Sequence, residues 1–327
     1  MVRTPTGQRI IAALRDGEPT AGAPPSEVPL DGWLRSLFAE ELDAIETSLG
    51  GSAGPESYAL FRDLDDDLWA LLLTREYSSH PRILDLLPGV PEQQLQLNWN
   101  GAHGLKLATQ SRAFYRHVKD RLAADSDVAL ADATILDYGC GWGRLTRFFA
   151  RDVEPGALLA CDPVESILDV CRELRVPAEL ARSEFVPEEL PFDRGIDLAY
   201  SFSVFTHISE EAAWASLQAI HSALNPGGLL VLTIRPPAYL DYDPKMHEAR
   251  DALGPDPLLA LAAPHYVFVP HPHDPSHPQY ETEAMSYGET VISLPYIRER
   301  WSDLFKLTDV KAIPEDIYQV AVTLKKR

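Results

Sequence analysis

The chain has 327 residues, of which 45% are hydrophobic and 24% charged, so it is long enough for one large domain with an appendage or for two domains. Its formal net charge of −20 disfavours DNA, RNA and anionic membrane surfaces as partners, because these polyanions are bound through clustered Lys and Arg. No apolar run approaches the roughly 20 residues that span a bilayer, and the first residues lack a signal-peptide core, so we expect a cytoplasmic protein.

Residues 1–125 are predicted to form a mainly helical N-terminal extension. One apolar stripe predicts a helix that ends at a Gly-Gly pair, and its members are Leu34, Leu37, Phe38, Leu42, Ile45 and Leu49. A second stripe predicts the last helix of the extension and consists of Leu107, Phe114, Val118 and Leu122. Residues 21–29 and 50–57 are predicted connectors, and residues 98–100 a loop that folds over the neighbouring pocket. The stripes fit either a cover docked on the rest of the chain or a homodimer interface.

Within residues 126–327, short apolar runs alternate with amphipathic helical segments, which is typical of a parallel β-sheet covered by helices. Strands are predicted at 134–138, 157–161, 178–181, 196–201, 229–234, 306–312 and 317–324. Helices are predicted near 143–151, 164–174, 210–224 and 295–304. In the third of these helices Ser209 is the expected N-cap, and the apolar face consists of Trp214, Leu217, Ile220 and Leu224. The Pro- and His-rich residues 236–290 are predicted to form a lid-like insertion.

The segment Ile135–Arg144 reads ILDYGCGWGR and joins a predicted strand to a predicted helix through a glycine-rich turn. Glycines let the backbone approach a ligand closely and leave helix N-terminal amides facing it. A glycine-rich turn alone is a weak signal, but Asp162 ends the next predicted strand, where a carboxylate can accept hydrogen bonds from both ribose hydroxyls of a nucleoside. Together these features predict a nucleoside-containing cofactor.

This arrangement resembles the first motif of the class I S-adenosylmethionine-dependent methyltransferase superfamily, in which an acidic residue precedes GxGxG. Residues 225–228 (NPGG) resemble the turn into the family's fifth strand, and residues 192–201 its fourth-strand motif. Residues 203–209 (SVFTHIS) resemble the same segment of bacterial members that act on small molecules. The resemblance covers roughly residues 95–324. It implies an α/β, Rossmann-like sheet of seven mostly parallel strands, with helices on both faces and an antiparallel last strand.

The resemblance also implies a binding site for S-adenosylmethionine at the glycine-rich turn and the ends of the neighbouring strands. Around the methionine part we expect Asp137, Gly139, Cys140, Gly141, Trp142 and Gly143. The ribose is expected at Asp162 and the adenine at Pro163, Ser183 and Glu184. The methionine amine is expected at the backbone of Ser201 and Phe202.

Three side chains are candidates for the chemistry. A sulfonium needs no acid to make its methyl group electrophilic, so a base is required only when the acceptor is a hydroxyl or a protonated amine. His207 after the fourth strand suits such a base, or else it orients a helix beside the site. Arg235 at the end of the fifth strand either grips an acidic group of the acceptor or forms a structural ion pair. Tyr138 either contacts the sulfonium by a cation–π interaction or belongs to the core.

A metal site is not predicted. His271, His273, Asp274 and His277 carry ligand atoms, but proline-separated histidines are typical of loops, and methyl transfer needs no metal. The three cysteines lack CxxC spacing, so neither disulfides nor structural zinc are predicted.

These observations favour methyl transfer from S-adenosylmethionine to a small-molecule acceptor of specialised metabolism, at oxygen or nitrogen rather than carbon. Three alternatives stay open. One is a non-methylating use of the cofactor, by cyclisation or aminocarboxypropyl transfer. Another is an NAD(P)-dependent oxidoreductase, although its GxGxxG fingerprint would need a glycine where Arg144 stands. The third is a protein that binds the cofactor without catalysis and acts as a partner.

Overall fold

The structure is a computed structural model, and it describes residues 30–49, 53–273, 277–279 and 285–327. The predicted connector at 21–29, the Gly-Gly pair at 50–51 and Asp274 lie outside these ranges. Within the described ranges, no helix combines the length and hydropathy needed to cross a membrane.

The strands follow the predicted alternation. They are β1 Ile135–Tyr138, β2 Leu158–Asp162, β3 Glu179–Arg182, β4 Ile196–Ser201, β5 Leu224–Ile234, β6 Tyr266–Pro270, β7 Gly288–Ile292, β8 Phe305–Ala312 and β9 Val320–Lys326. Seven of them form one sheet in the order β3-β2-β1-β4-β5-β9-β8. Strands β1 to β5 are parallel, whereas β9 runs antiparallel to both β5 and β8. The predicted seven-stranded, Rossmann-like α/β sheet with an antiparallel last strand is therefore confirmed.

Helices surround this sheet. They are α1 Leu30–Leu37, α2 Ala39–Ser48, α3 Asp66–Thr74, α4 Pro81–Leu86, α5 Gln93–Asn100, α6 Gly104–Asp125, α7 Thr146–Phe149, α8 Glu165–Glu173, α9 Glu210–Ala223, α10 Tyr239–Tyr242, α11 His247–Ala252, α12 Pro257–Ala260 and α13 Leu294–Arg300. Short 3₁₀ helices occupy Pro55–Phe61, Leu130–Asp132 and Pro244–Met246.

Several elements differ from the sequence prediction. The helix expected near 143–151 shrinks to α7, because the turn conformation persists through residue 145. Residues 98–100 form the last turn of α5 instead of a loop, and Gly101 in the left-handed region (φ 67°) ends that helix. Trp214 is 36% exposed, so it lies outside the packing face of α9. The predicted turn at 225–228 is part of β5, opposite an irregular register in β4.

The N-terminal helices and the sheet share one hydrophobic core that extends from Leu34 of α1 to Leu198 of β4. Trp69 of α3 is fully buried, and its Nε1 donates a hydrogen bond of 3.0 Å to the carbonyl of Phe148. Phe114 of α6 makes an edge contact with Phe202 just beyond β4, at 4.9 Å between ring centroids. The helices between residues 30 and 125 thus cover one face of the sheet.

The insertion at 236–290 contains α10 to α12, and its β6 pairs antiparallel with β7 in a second, two-stranded sheet. Backbone hydrogen bonds fasten it to the loop after β4. The amide of Gly288 donates to the carbonyl of His207 at 2.7 Å, and the amide of Ser209 donates to the carbonyl of Ser286 at 2.8 Å. The insertion is therefore held beside the carboxyl ends of the central strands.

The shared core predicts that the N-terminal helices contribute to global stability. Replacement Trp69→Ala should lower the free energy of unfolding by about 3 to 5 kcal/mol, because it removes a fully buried indole and leaves a cavity. The matched control Trp33→Ala removes a 44% exposed indole and should change stability by about 0.5 kcal/mol or less. Urea unfolding followed by circular dichroism would measure both. Similar effects of the two replacements would contradict a shared core.

Candidate active site

A cavity of about 360 Å³ opens at the carboxyl ends of β1, β2 and β4. Strand order reverses between β1 and β4, and open parallel sheets bind ligands at such a switch point. Its walls come from the glycine-rich turn, the end of α5, the loops after β2, β3 and β4, and the insertion.

Most residues assigned to the cofactor line this cavity. They are Asp137, Gly139, Cys140, Gly141, Trp142, Asp162, Pro163, Ser183, Glu184 and Phe202. Gly143 and Ser201 lie behind the wall instead. A Cβ on Gly143 would stand 2.7 Å from Cγ2 of Val176, and the buried Oγ of Ser201 donates to the carbonyl of Tyr138 at 2.9 Å. Both residues therefore support the wall rather than form it.

Gly139 turns the chain sharply at the end of β1. Its φ is 75°, which lies in the left-handed region that favours glycine. Its amide and that of Cys140 both donate to the carbonyl of Cys161, at 2.9 and 3.0 Å. A Cβ at position 139 would stand 2.3 Å from Cγ2 of Val204. The turn consequently keeps open a space that any larger residue would fill.

Asp162 connects β2 to this turn. One carboxylate oxygen accepts a hydrogen bond from the amide of Gly141, and the other from the amide of Val164, each at 3.0 Å. Burial raises the pKa of Asp162 to about 6, although these two hydrogen bonds oppose the rise. The carboxylate is therefore mostly ionised at neutral pH and sits on the cavity wall.

Asp137 lies one turn deeper. Its carboxylate accepts a hydrogen bond of 2.6 Å from Oγ1 of Thr146, the first residue of α7. Burial raises the pKa of Asp137 to about 7, against the hydrogen bonds from Thr146 and Tyr200. This acidic residue of the motif therefore ties β1 to the short helix that follows the turn.

Arg144 is a lining residue that the sequence analysis did not assign. Its guanidinium is buried, lies 4.4 Å from the ring centroid of Phe202 and donates one long hydrogen bond, 3.4 Å, to Oγ of Ser111. Burial lowers its pKa to about 10, although Asp316 and Asp137 oppose the shift. Among the described residues it forms no ion pair within 4.0 Å. A buried cation without an acidic partner is costly in isolation and favours an anionic ligand.

Arg235 does not line the cavity. It is buried, forms an ion pair with Glu289 of β7 and lies 3.7 Å from the ring centroid of Tyr239. These contacts favour the structural ion pair over a direct grip on the acceptor.

His207 lines the cavity, but both of its ring nitrogens are engaged. Nδ1 lies 2.8 Å from the carbonyl of Gly288, and because a carbonyl only accepts, Nδ1 carries the proton. Nε2 then accepts from Nη2 of Arg235 at 3.0 Å. Burial, together with the charge of Arg235, lowers the pKa of His207 to about 4. This geometry favours an orienting role over that of a base.

Tyr138 also lines the cavity, where its hydroxyl forms a hydrogen bond of 2.7 Å with Oγ of Ser216. Its ring is buried in the core with Leu136 and Ile208. The hydroxyl rather than the ring face is thus the group that this residue fixes at the wall.

The histidine-rich segment contributes differently from the metal motif considered above. His271 and His277 line the cavity, whereas Nε2 of His273 lies 3.4 Å from the carbonyl of Gln279. The ligand atoms of His207, His271 and Glu289 lie within 4.8 Å of one another. A metal ion there would compete with the guanidinium of Arg235, which already contacts the last carboxylate and the first imidazole.

The comparisons with known proteins agree with this geometry. Residues 135–228 match the family model described as a methyltransferase domain, and a search of curated proteins found no match. The match confirms the predicted class I methyltransferase domain and its cofactor, S-adenosylmethionine.

Similar solved structures, each with its identity, coverage of this chain, coverage of its own chain and TM-score, include three methyltransferases. They are an S-adenosylmethionine-dependent methyltransferase from Mesorhizobium loti (17%, 66%, 98%, 0.41), another from Clostridium acetobutylicum (14%, 66%, 92%, 0.45), and a 1,6-didemethyltoxoflavin N1-methyltransferase from Burkholderia thailandensis (16%, 66%, 78%, 0.43).

The tight turn at Gly139 predicts a sharp contrast between two glycine replacements. Gly139→Ala should weaken binding of S-adenosylhomocysteine about tenfold or more, because the new methyl group must displace Val204 from the wall. Gly156→Ala is the control, since Gly156 also has a positive φ (85°) but no atom within 4 Å of the added Cβ. It should cost about 1 kcal/mol of stability and leave affinity unchanged. Isothermal titration would measure both, and equal affinities would contradict the tight fit.

Proposed function

Because the chain carries a class I S-adenosylmethionine-dependent methyltransferase domain, we propose that it methylates a small molecule at oxygen or nitrogen. The enclosed cavity supports this proposal. Its volume of about 360 Å³ falls in the range of small-molecule sites. The formal charge of −20 disfavours a nucleic acid as acceptor.

The insertion also supports a small acceptor, because it supplies a polar wall beyond the glycine-rich turn. Its lining residues are His271, His277, Pro278, Ser286 and Tyr287. The ring of Tyr287 stacks on His207 at 5.1 Å and an interplanar angle of 9°. Hydrogen-bonding groups on a rigid wall of this kind can orient a small polar acceptor.

The residues present fit the cofactor. In our proposal, Asp162 accepts hydrogen bonds from the ribose hydroxyls, and Arg144 pairs with the methionine carboxylate. The open space at Gly139 leaves room for the chain between them. When bound, the cofactor supplies a methyl group made electrophilic by the attached sulfonium.

The protein's own contribution is then to hold and enclose. Trp99 of α5 lies over the turn, with Cε3 3.5 Å from the position of a Cβ on Gly141. Nε1 of Trp142 donates to Oδ1 of Asn100 at 2.7 Å, which joins α5 to the turn. We propose that this helix covers the cofactor and excludes water, so that the acceptor is aligned for in-line transfer.

Binding and product analysis test the proposed function. The purified protein should bind S-adenosylmethionine and S-adenosylhomocysteine with Kd values on the order of micromolar and should not bind NADH. Supplied with fractionated small-molecule extracts, it should release S-adenosylhomocysteine. Release of methylthioadenosine would instead establish cyclisation or aminocarboxypropyl transfer, and preference for NADH would sink the proposal. Binding without any product from a broad acceptor set would favour a non-catalytic partner protein.

The unpaired charge of Arg144 gives a prediction that separates two ligands. Arg144→Met should weaken S-adenosylhomocysteine about tenfold or more, because a charge-assisted hydrogen bond to the carboxylate is lost. The same variant should bind methylthioadenosine, which lacks the carboxylate, within about twofold of the unmodified protein. Isothermal titration with both ligands checks this, and equal losses for the two would show that Arg144 only shapes the wall.

A further inference from the structure

We propose that His271 and Glu289 form the proton-accepting pair of this site, so that the acceptor carries its nucleophile as a weakly acidic hydroxyl or a protonated amine. This inference rests on the methyl transfer proposed above. Neither residue was assigned a catalytic role from the sequence, since they lie on opposite sides of the insertion and meet only because β6 pairs with β7.

Glu289 is the centre of a buried polar network. Its Oε1 lies 3.1 Å from Nε2 of His271 and 3.7 Å from Nζ of Lys245. Its Oε2 forms the ion pair with Arg235 and accepts a hydrogen bond of 3.3 Å from the hydroxyl of Tyr239. The carboxylate is therefore surrounded by donors on both oxygens.

The charge state of Glu289 follows from these neighbours. Burial alone would raise the pKa of Glu289, but the facing His207 and Arg235 outweigh burial, so this pKa is lowered. The carboxylate is ionised at neutral pH and can only accept hydrogen bonds.

The ionised carboxylate fixes the tautomer of His271. Because Glu289 only accepts, Nε2 of His271 must carry the proton that lies between them. In the neutral imidazole the lone pair then belongs to Nδ1. Among the described residues no hydrogen-bonding group contacts Nδ1, and the side chain is 22% exposed on the cavity wall. His271 thus presents an uncommitted acceptor to the cavity.

The other two imidazoles of the described wall are already engaged. Nε2 of His207 accepts from Arg235, and Nδ1 of His277 accepts from the amide of Gln279 at 3.1 Å. The carboxylate beside His271 also stabilises the imidazolium that forms when this residue takes a proton, as in other base–orienter pairs. His271 is therefore the imidazole that the geometry singles out as the base.

Charges from several elements face the pair. Arg235 at the end of β5 and Lys245 before α11 oppose protonation of His271, whereas Glu289 favours it. His207 after β4 and His277 also face it, and Tyr287 packs between these rings at 5.4 Å from His271. The pH dependence of the reaction belongs to this group of residues as a whole.

The proposed step balances as follows. The O–H or N–H bond of the acceptor breaks, and its proton passes to Nδ1 of His271. The electron pair left on the acceptor atom forms the bond to the methyl carbon, while the pair of the broken S–CH₃ bond goes to sulfur. Glu289 keeps its charge throughout and holds the imidazolium in place.

The experiment compares the unmodified protein with His271→Gln and Glu289→Gln. His247→Gln is the control, since Nε2 of His247 contacts only the carbonyl of Asp241 at an exposed position of the same insertion. Long-range ¹H–¹⁵N NMR of the complex with S-adenosylhomocysteine reports the tautomer and titration of His271. Methyl transfer to phenol and to 2-phenylethylamine is followed as S-adenosylhomocysteine release over roughly pH 5.5 to 9.

We expect His271 to carry its proton on Nε2 and Glu289→Gln to move its titration to lower pH. His271→Gln should lower kcat about a hundredfold, abolish the pH plateau and leave affinity for S-adenosylhomocysteine within about twofold. If Glu289→Gln does not fold, the tautomer and the His271→Gln profile decide.

A proton on Nδ1 of His271, or an unchanged pH profile in His271→Gln, would overturn the pair. If neither probe is methylated, the tautomer alone decides. Loss of S-adenosylhomocysteine binding in the unmodified protein, or release of methylthioadenosine, would overturn the proposed function instead. The two failures are therefore distinguishable.

Discussion

The carboxylate of Asp162 holds the geometry on which the site depends, because it accepts the amides of both the glycine-rich turn and the start of the loop into α8. A buried carboxylate needs such partners to offset its desolvation. By bridging Gly141 and Val164 it fixes the separation of two loops that otherwise meet only through β1 and β2. The cavity, the cover by α5 and the position of Arg144 all follow from that fixed separation.

A second buried charge, Glu289, organises the acceptor side in the same manner. Its oxygens gather Arg235, Tyr239 and His271 from three separate elements. Removing one member of such a network would leave an uncompensated charge, which costs more than the network contributes in net stability. The capture of His207 by Arg235 belongs to this network. The two ends of the cavity are thus each built around one ionised carboxylate.

The sheet and the glycine-rich turn were predictable because their signals are local: short apolar runs, glycines and an acidic residue at fixed spacing. Residues 98–100 were predicted wrongly as loop, since the polar sequence of α5 lacks an apolar stripe and its helix depends on contacts such as Asn100 with Trp142. The isolation of Arg144 and the engagement of His207 could not be read from sequence. Both depend on which residues, distant along the chain, fail or manage to reach them.

The pairing of β6 with β7 separates two properties of the acceptor wall. Glu289 lies within β7, where the strand ladder fixes it, whereas His277, Pro278 and Ser286 lie in the connection between the strands. Substitutions in that connection can therefore alter which molecules enter without moving the buried carboxylate. In engineering terms, the connection is a graftable specificity cassette on a constant frame, and exchanging it is a route to new acceptors.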